Sequence, residues 1–360
     1  MRYPSTRKRG KLSTILTVAL IFSMFAPALA YPHVPSDPVV AKARDFLKSA
    51  QQSDGNIGGF TVSAWAVMAI ASLGEDPHSW KRNGGPSIVD YLKVNAHLVD
   101  ETKATDVERY ILAMTSAGEN PRNIGGKDYV AILDGLYDGI QIGDPNLLND
   151  DFWGVLALIS AGEPFNSAII QNTVAFIKSR RNSDGGWGWG VGVNSDVDDT
   201  AAAIMALIAA KEPANSQVIV NALSYIKSKQ MNNGGFEAWG STNPGTDAWG
   251  ICAIAATGQN PTSTYWTKND KTPVDDLLTF QGDDGAFSFP DSNPRKEWAT
   301  SYALVALLGK PYPVKPVTQK VGGIIIPLNK FKLLTSLIFL VSAILVMPVV
   351  AISAKHRKRR

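Results

Sequence analysis

Six alanine-rich apolar runs recur along the middle of the chain, and each is followed within four residues by a proline. In five of the six copies a glycine comes directly after the run, which is how a helix commonly ends. The runs return roughly every 44 to 51 residues, a period that indicates an array of helical repeats. They are Ala66–Leu73, Ile111–Ala117, Val155–Ala161, Ala202–Ala210, Ile251–Thr257 and Tyr302–Leu308.

A second set of helices is predicted between these runs, each with one apolar and one polar face. The set comprises Val39–Ser49, Ile88–His97, Asp128–Asp138, Ser167–Ser179, Ser216–Ser228 and Val274–Phe280. A helix that is apolar all round must be buried, whereas an amphipathic helix lies at the surface. The pattern therefore predicts an all-α fold of six helical hairpins, about twelve helices, with the alanine-rich set inside. Such an array can stack as an open solenoid or close into a ring.

Loops rich in glycine and ending in an aromatic residue precede several of the inner helices. Gln230–Phe236 and Gln281–Phe287 share one pattern, Arg181–Trp187 repeats it with arginine in place of glutamine, and Gln51–Phe60 is a looser version. We expect the glutamine to hydrogen-bond into the next loop and the aromatic side chain to fill the gap between repeats.

This Gln-x-x-x-Gly-x-Trp/Phe pattern resembles the repeats of squalene cyclases and of protein prenyltransferase β subunits. The resemblance covers roughly Asp37 to Lys310. It implies that the six hairpins close into an α/α toroid, and we assign this domain to residues 31–312.

The sharpest chemical signal is an acidic string at the predicted start of the fourth inner helix, where Asp196, Asp198 and Asp199 fall within four residues. One carboxylate can cap the free N–H groups of the helix, and a second gains a little from the helix dipole. The third has no such role and is repelled by its neighbours. One of the three should therefore hold its proton unusually firmly.

The string Asp196–Ala201 also resembles the DxDD-T-A motif of squalene–hopene and other class II terpene cyclases. In that family the middle aspartate protonates a carbon–carbon double bond. The resemblance implies that Asp198 is the general acid and that Asp196 and Asp199 are its hydrogen-bonding neighbours.

A cation formed in such a reaction is stabilised by aromatic faces, and Trp65, Trp153 and Trp249 occupy the same position in three repeats. Together with Asp150 and Asp247 they form the predicted ligand-binding set. The alternative roles are packing between inner helices for the tryptophans and helix capping for Asp150.

The sequence contains few residues that are suited to bind a metal ion, and we expect no cofactor. The zinc site of the prenyltransferase branch needs Asp, Cys and His from inner helices, but the chain has one cysteine and four histidines, none suitably placed. A calcium site built from Asp184, Asn194, Asp196 and Asp198 is an alternative, because calcium prefers oxygen ligands. Paired carboxylates across the mouth of a toroid would also suit a glycosidase.

The two ends of the chain have their own patterns. Residues 1–30 have the pattern of a signal peptide. Residues 333–354 are apolar and long enough to span a membrane as a helix. A linker over 313–332 joins the toroid to this helix, and a basic tail over 355–360 follows it. The basic tail predicts a single-pass membrane protein with its main domain outside the cytoplasm. The formal charge of +3 comes mostly from these ends, so nucleic acid is not an expected partner.

Two classes of function remain open from the sequence. The first is a membrane-anchored toroid that holds an apolar, isoprenoid-like ligand and cyclises it by protonation from Asp198. The second is a non-catalytic module of the cell envelope that binds a protein, peptide or glycan.

Overall fold

The computed structural model describes residues 31–293 and 295–316, and within these ranges the chain is helical with no β-strand. The predicted signal peptide, the transmembrane segment, the basic tail and most of the linker lie outside the described residues. No helix inside these ranges is long and apolar enough to cross a membrane.

Twelve α-helices alternate between an outer and an inner set within the described part. The outer helices are α1 (Pro38–Ala50), α3 (Ile88–Val94), α5 (Tyr129–Asp134), α7 (Ala168–Ser179), α9 (Gln217–Ser228) and α11 (Pro273–Thr279). The inner helices are α2 (Phe60–Ser72), α4 (Ala104–Ser116), α6 (Asn149–Ser160), α8 (Val197–Ala209), α10 (Pro244–Ala256) and α12 (Lys296–Leu307). The predicted number and order of helices are confirmed, although the outer helices α3, α5 and α11 are short.

The six inner helices form a closed ring. Each packs against the next inner helix along the chain, and α12 packs against α2. Each later outer helix covers the inner helix that precedes it, and α1 covers α12, so the outer layer closes as well. The open solenoid is therefore excluded, and the α/α toroid is confirmed.

Small side chains allow the inner helices to approach closely. Nearly every residue from Ser63 to Ser72 of α2 is buried, as is the stretch from Thr200 to Leu207 of α8. Alanine provides most of these contacts, because it loses no rotamer freedom when packed and favours the helix. The alanine-rich pattern thus follows from burial on all sides.

Glutamines at the ends of outer helices tie neighbouring repeats together, as the sequence predicts. The Nε2 atom of Gln51 donates to the carbonyls of Gly55 (3.1 Å) and Trp80 (2.8 Å). Gln281 repeats this arrangement at the end of the array, because its Nε2 donates to the carbonyls of Gly285 (2.9 Å) and Val39 (2.8 Å). The last loop is thereby bonded to the first outer helix across the closure.

A second contact at the closure requires a glycine. Gly285 has a φ of +85°, and a Cβ there would lie 2.5 Å from the carbonyl oxygen of Lys42. A side chain would therefore both strain the backbone and collide with α1.

Polar side chains near the start of five inner helices hold the loops in place. Each accepts the backbone N–H of a fully buried loop residue at 2.7 to 3.0 Å. The pairs are Ser63 with Ile57, Asp151 with Ile142, Thr200 with Trp187, Asp247 with Phe236 and Thr300 with Phe287. Each loop residue fills the gap between repeats, as expected for the aromatic positions.

We predict that Gln281→Ala will lower the free energy of unfolding by about 1 kcal/mol, because it removes two partly buried hydrogen bonds at the closure of the ring. Urea unfolding followed by circular dichroism measures this. Gln52→Ala is the matched control, since Gln52 is exposed and bonds only to the nearby Ala50 carbonyl. Equal stability of the two variants would show that the closure does not depend on this bond.

Candidate active site at the N-terminal mouth of the toroid

The inner helices run parallel, so their N-termini meet at one mouth of the ring. The hydroxyl groups of Thr115 and Ser160, both in the last turns of their helices, lie 3.0 Å apart at the opposite mouth. At the N-terminal mouth, two adjacent clefts of about 490 and 530 Å³ lie around α8, α10 and α12. Both volumes fall in the range of small-molecule sites. The two clefts share Asp198, Thr246 and the loop residues Ala238 and Trp239.

Asp196 is the capping residue of α8. Its Oδ1 accepts the backbone N–H of Asp199 at 2.8 Å, and its own N–H donates to the Trp187 carbonyl at 3.0 Å. Burial raises the pKa of Asp196 despite the hydrogen bonds from Asp199 that lower it.

Asp199 is the aspartate that holds its proton most firmly. Burial first, and the charge of Asp196 next, keep the pKa of Asp199 well above its usual range. The protonated Asp199 donates a hydrogen bond to Asp196. The two side chains share one proton, so both have a structural partner.

Asp198 neither caps α8 nor shares a proton with another aspartate, and it lines both clefts. Asp198 is exposed to water, and the water that it faces lies within the two clefts, whose walls reduce the solvation of its carboxyl group. This desolvation raises the pKa of Asp198 to about 7, and the charge of Asp196 adds to the effect. A carboxyl group with this pKa is substantially protonated at neutral pH.

Thr246, at the start of α10, is the hydrogen-bond partner of Asp198. Its hydroxyl bonds to the Asp198 carboxylate and lowers the pKa of that group. The Nδ2 of Asn243 donates to the Thr246 hydroxyl at 3.0 Å, which leaves the hydroxyl proton free for Asp198. The Asn243–Thr246 pair therefore stabilises the ionised form that remains once Asp198 gives up its proton.

The loop before α8 is held rigidly, which fixes the position of Asp198. Asn182 donates to the Val193 carbonyl and the Ser195 hydroxyl, both at 2.9 Å. Tyr225 donates to the Ser195 carbonyl at 2.5 Å, and the Ser195 hydroxyl donates to Asp184 at 2.8 Å.

The calcium alternative relies on residues that the loop has already engaged. Asp184 accepts the N–H of Gly186 at 3.0 Å in addition to the Ser195 hydroxyl, and Asp196 caps α8. Within the described residues no group of three or more His, Cys, Asp or Glu side chains is arranged to hold a metal ion. The predicted Asp184–Asn194–Asp196–Asp198 site remains a hypothesis from sequence.

Aromatic side chains form much of the second cleft. Trp249, Trp298, Phe289 and Tyr302 line it together with Asp198. At the rim, Trp189 is half exposed in the first cleft, and Trp239 is fully exposed beside both. The acid thus faces a space whose walls can contact an apolar molecule.

The three predicted tryptophans meet in the middle of the ring. Their ring centroids are 5.5 Å apart for Trp65 and Trp153, 5.7 Å for Trp65 and Trp249, and 5.1 Å for Trp153 and Trp249. Trp249 also lines the cleft of Asp198, whereas Trp65 and Trp153 border a separate cavity of about 150 Å³ beside Arg109. The tryptophans therefore fill the centre of the toroid.

Asp150 and Asp247 lie inside the protein, apart from the lining of either cleft. Asp150 accepts the Asp144 N–H at 3.0 Å, and Asp247 accepts the Phe236 N–H at 2.7 Å. Burial raises the pKa of Asp150, and burial together with the charge of Asp276 raises that of Asp247 far above its usual range. The structure gives both residues a role in holding loops.

Sequence reasoning did not find several residues of the site. Thr246 stands at a position that is acidic in most other repeats, and Asn243 carries no signal of its own in the sequence. Trp239 and Trp298 lie outside the repeat pattern of the other tryptophans. Contacts between α8, α10 and α12 bring all of them to Asp198, and no local signal reports such contacts.

The fold defines a class of protein before any particular relative is considered. A closed ring of inner helices inside a ring of outer helices is the α/α toroid of terpenoid cyclases and of other enzymes that share it. No family profile matches the sequence, and no curated protein sequence matches it.

Particular solved structures share this architecture. The type II terpene cyclase MstE from Scytonema superposes with a TM-score of 0.55 at 12% identity, over 75% of this chain and 96% of that chain. A variant of that cyclase in complex with geranylgeranyl dihydroxybenzoate, its substrate, gives a TM-score of 0.55 at 13% identity, over 75% and 96% of the two chains. A glycosidase in complex with glucose gives 0.53 at 10% identity, over 75% and 95%. At these identities the likeness shows the fold, and it also shows that a single toroid matches nearly the whole of the MstE chain.

We predict that Asp198→Asn will stabilise the protein above about pH 7. The pKa of Asp198 rises from 3.8 to about 7 on folding, so the wild-type fold loses stability as the pH rises between these values. Asparagine cannot ionise and avoids that loss. Thermal unfolding at several pH values measures the difference, which should vanish below about pH 4. A difference independent of pH would contradict the raised pKa.

Proposed function

We propose that this toroid binds an apolar, isoprenoid-like molecule in the clefts at its N-terminal mouth and isomerises it by proton transfer from Asp198. The observation that carries this proposal is the division of roles among three aspartates. Asp196 and Asp199 bond to each other and to the backbone, whereas Asp198 is the one of the three that lines both clefts, including the second cleft with its aromatic walls.

The proton transfer is chemically balanced. The Oδ–H bond of Asp198 breaks and a C–H bond forms at one carbon of a double bond, so the other carbon becomes a cation. Thr246, oriented by Asn243, hydrogen-bonds to the carboxylate that is left. The cation is attacked by a second double bond of the same chain, which closes a ring. A later loss of a proton to water makes the net reaction an isomerisation.

The walls of the second cleft suit a cationic intermediate. Trp249 and Tyr302 have ring centroids 4.6 Å apart, and Trp298 lies 6.1 Å from Tyr302, so the cleft presents a continuous aromatic surface. Aromatic faces attract a cation most strongly when water is excluded.

The ligand class rests on two further supports. MstE, which has the same fold, is described with geranylgeranyl dihydroxybenzoate as its substrate. The two clefts, which adjoin at Asp198, are large enough for a small isoprenoid. The competing function is a non-catalytic module of the cell envelope that binds a protein, peptide or glycan at the same mouth.

We predict that the chain converts polyprenyl substrates to cyclised products and that Asp198→Asn lowers the rate by about a hundredfold or more, because the general acid is lost. Product formation from substrates of several chain lengths measures this. The rate should fall as the pH rises through about 7, since only protonated Asp198 can act.

Glu237→Gln is the matched control, because Glu237 lines the first cleft and undergoes the same carboxylate-to-amide change. It should retain activity. An absence of product from the wild type at every chain length would favour the binding module. Release of sugar from glycosides would indicate a glycosidase on this fold.

We also propose that the toroid is exported and tethered by the predicted helix over residues 333–354, because a basic tail follows that segment. A protease added to intact cells should then digest residues 31–332. Lysed cells serve as the reference for complete digestion. Full protection of the domain in intact cells would reverse this orientation.

A further inference from the structure

The C-terminal mouth of the toroid is covered by the chain itself. Residues 309–316, here named the strap, leave the end of α12 and run towards the end of α4, where a Cβ on Gly118 would lie 3.9 Å from Pro316. Within the strap, Tyr312 and Val314 are buried, with 3% and 6% of their surface exposed.

The side chain of Tyr312 lies at the axis of the ring. Its centroid is 5.7 Å from that of Trp65, 5.8 Å from that of Trp153 and 5.4 Å from that of Trp249. These tryptophans belong to α2, α6 and α10, which alternate around the ring. A ring that contacts all three must be central, so Tyr312 closes the lumen from the side opposite Asp198.

Apolar contact alone holds most of the strap in place. Among the described residues, 311–316 form no hydrogen bond with the rest of the protein, and Pro311, Pro313 and Pro316 have no N–H to donate. The hydroxyl of Tyr312 is buried without a partner, which disfavours the seated position. Segments with few hydrogen bonds are those that open separately from the global unfolding of a protein.

We propose that the strap is a gate that opens as a unit by withdrawing Tyr312 from the axis, which exposes an apolar chamber walled by Trp65, Trp153 and Trp249. The chamber adjoins the cleft of Asp198 through Trp249. Opening therefore deepens the space available to a long apolar chain.

The chemical labelling of a buried cysteine can detect this motion. Cys252 of α10 is the only cysteine in the sequence, and 1% of its surface is exposed. Cys252 follows Trp249 by three residues on α10, so the two side chains share one face of that helix. The Trp249 ring lies 5.4 Å from that of Tyr312, and the buried thiol beside it is shielded from reagents while the gate is closed.

The test is the rate at which a small thiol reagent labels Cys252 in the full chain, measured without ligand over a series of urea concentrations. We expect labelling of the wild type at low urea to depend only weakly on urea, because a local opening exposes little surface. A urea dependence equal to that of global unfolding would overturn the proposal. Since no ligand is needed, this result is independent of whether the proposed function is correct.

Two variants sharpen the result. Tyr312→Ala should accelerate labelling about tenfold or more, and Tyr312→Phe should slow it, because phenylalanine keeps the ring and removes the unpaired hydroxyl. Phe289→Ala, at the other mouth, is the control and should label at the wild-type rate. Equal rates for Tyr312→Ala and the wild type, or equal acceleration by Phe289→Ala, would refute the gate.

Discussion

Closure of the inner ring is the constraint on which the rest of this structure depends. The packing of α12 against α2 and the bond from Gln281 to Val39 join residues that are more than two hundred positions apart. Loop closure over such a distance costs entropy, and the burial of apolar side chains along all six inner helices offsets it. Once the ring is closed, six helix N-termini must share one mouth, which is why Asp198, Thr246 and Trp298 can meet.

The three aspartates of the acidic string find their hydrogen-bond partners in two places, in their own helix and in a neighbouring one. Capping and proton sharing satisfy Asp196 and Asp199 within the first turn of α8. Asp198 gains no such partner from its own helix, and the neighbouring helix provides Thr246. A carboxyl group kept partly desolvated in this way destabilises the fold at neutral pH and is for that reason a stronger indication of function than a paired one.

The centre of the toroid is filled, and this changes where a ligand can lie. Trp65, Trp153, Trp249 and Tyr312 occupy the axis, so the two clefts that Asp198 lines lie at the mouth of the ring and not at its centre. Tyr312 differs from the others because it comes from a segment without backbone hydrogen bonds, beyond the last helix. Val314 of the same segment is buried as well, so these residues add to the packing at the C-terminal mouth.

The sequence by itself determined the helices, their number and the two layers, because period, composition and stop signals are local properties. It also identified the acidic string and singled it out by counting the carboxylates that one helix start can use. Asp150 and Asp247, which the sequence analysis places in a ligand-binding set, accept hydrogen bonds from loop residues in the structure, and their part in ligand binding stays a prediction. Only the tertiary structure decided that the ring closes at Gln281, that Asp198 faces aromatic walls through α10 and α12, and that Tyr312 reaches the axis. Each of these depends on contacts between residues far apart along the chain, and such contacts leave no periodic or compositional trace in the sequence.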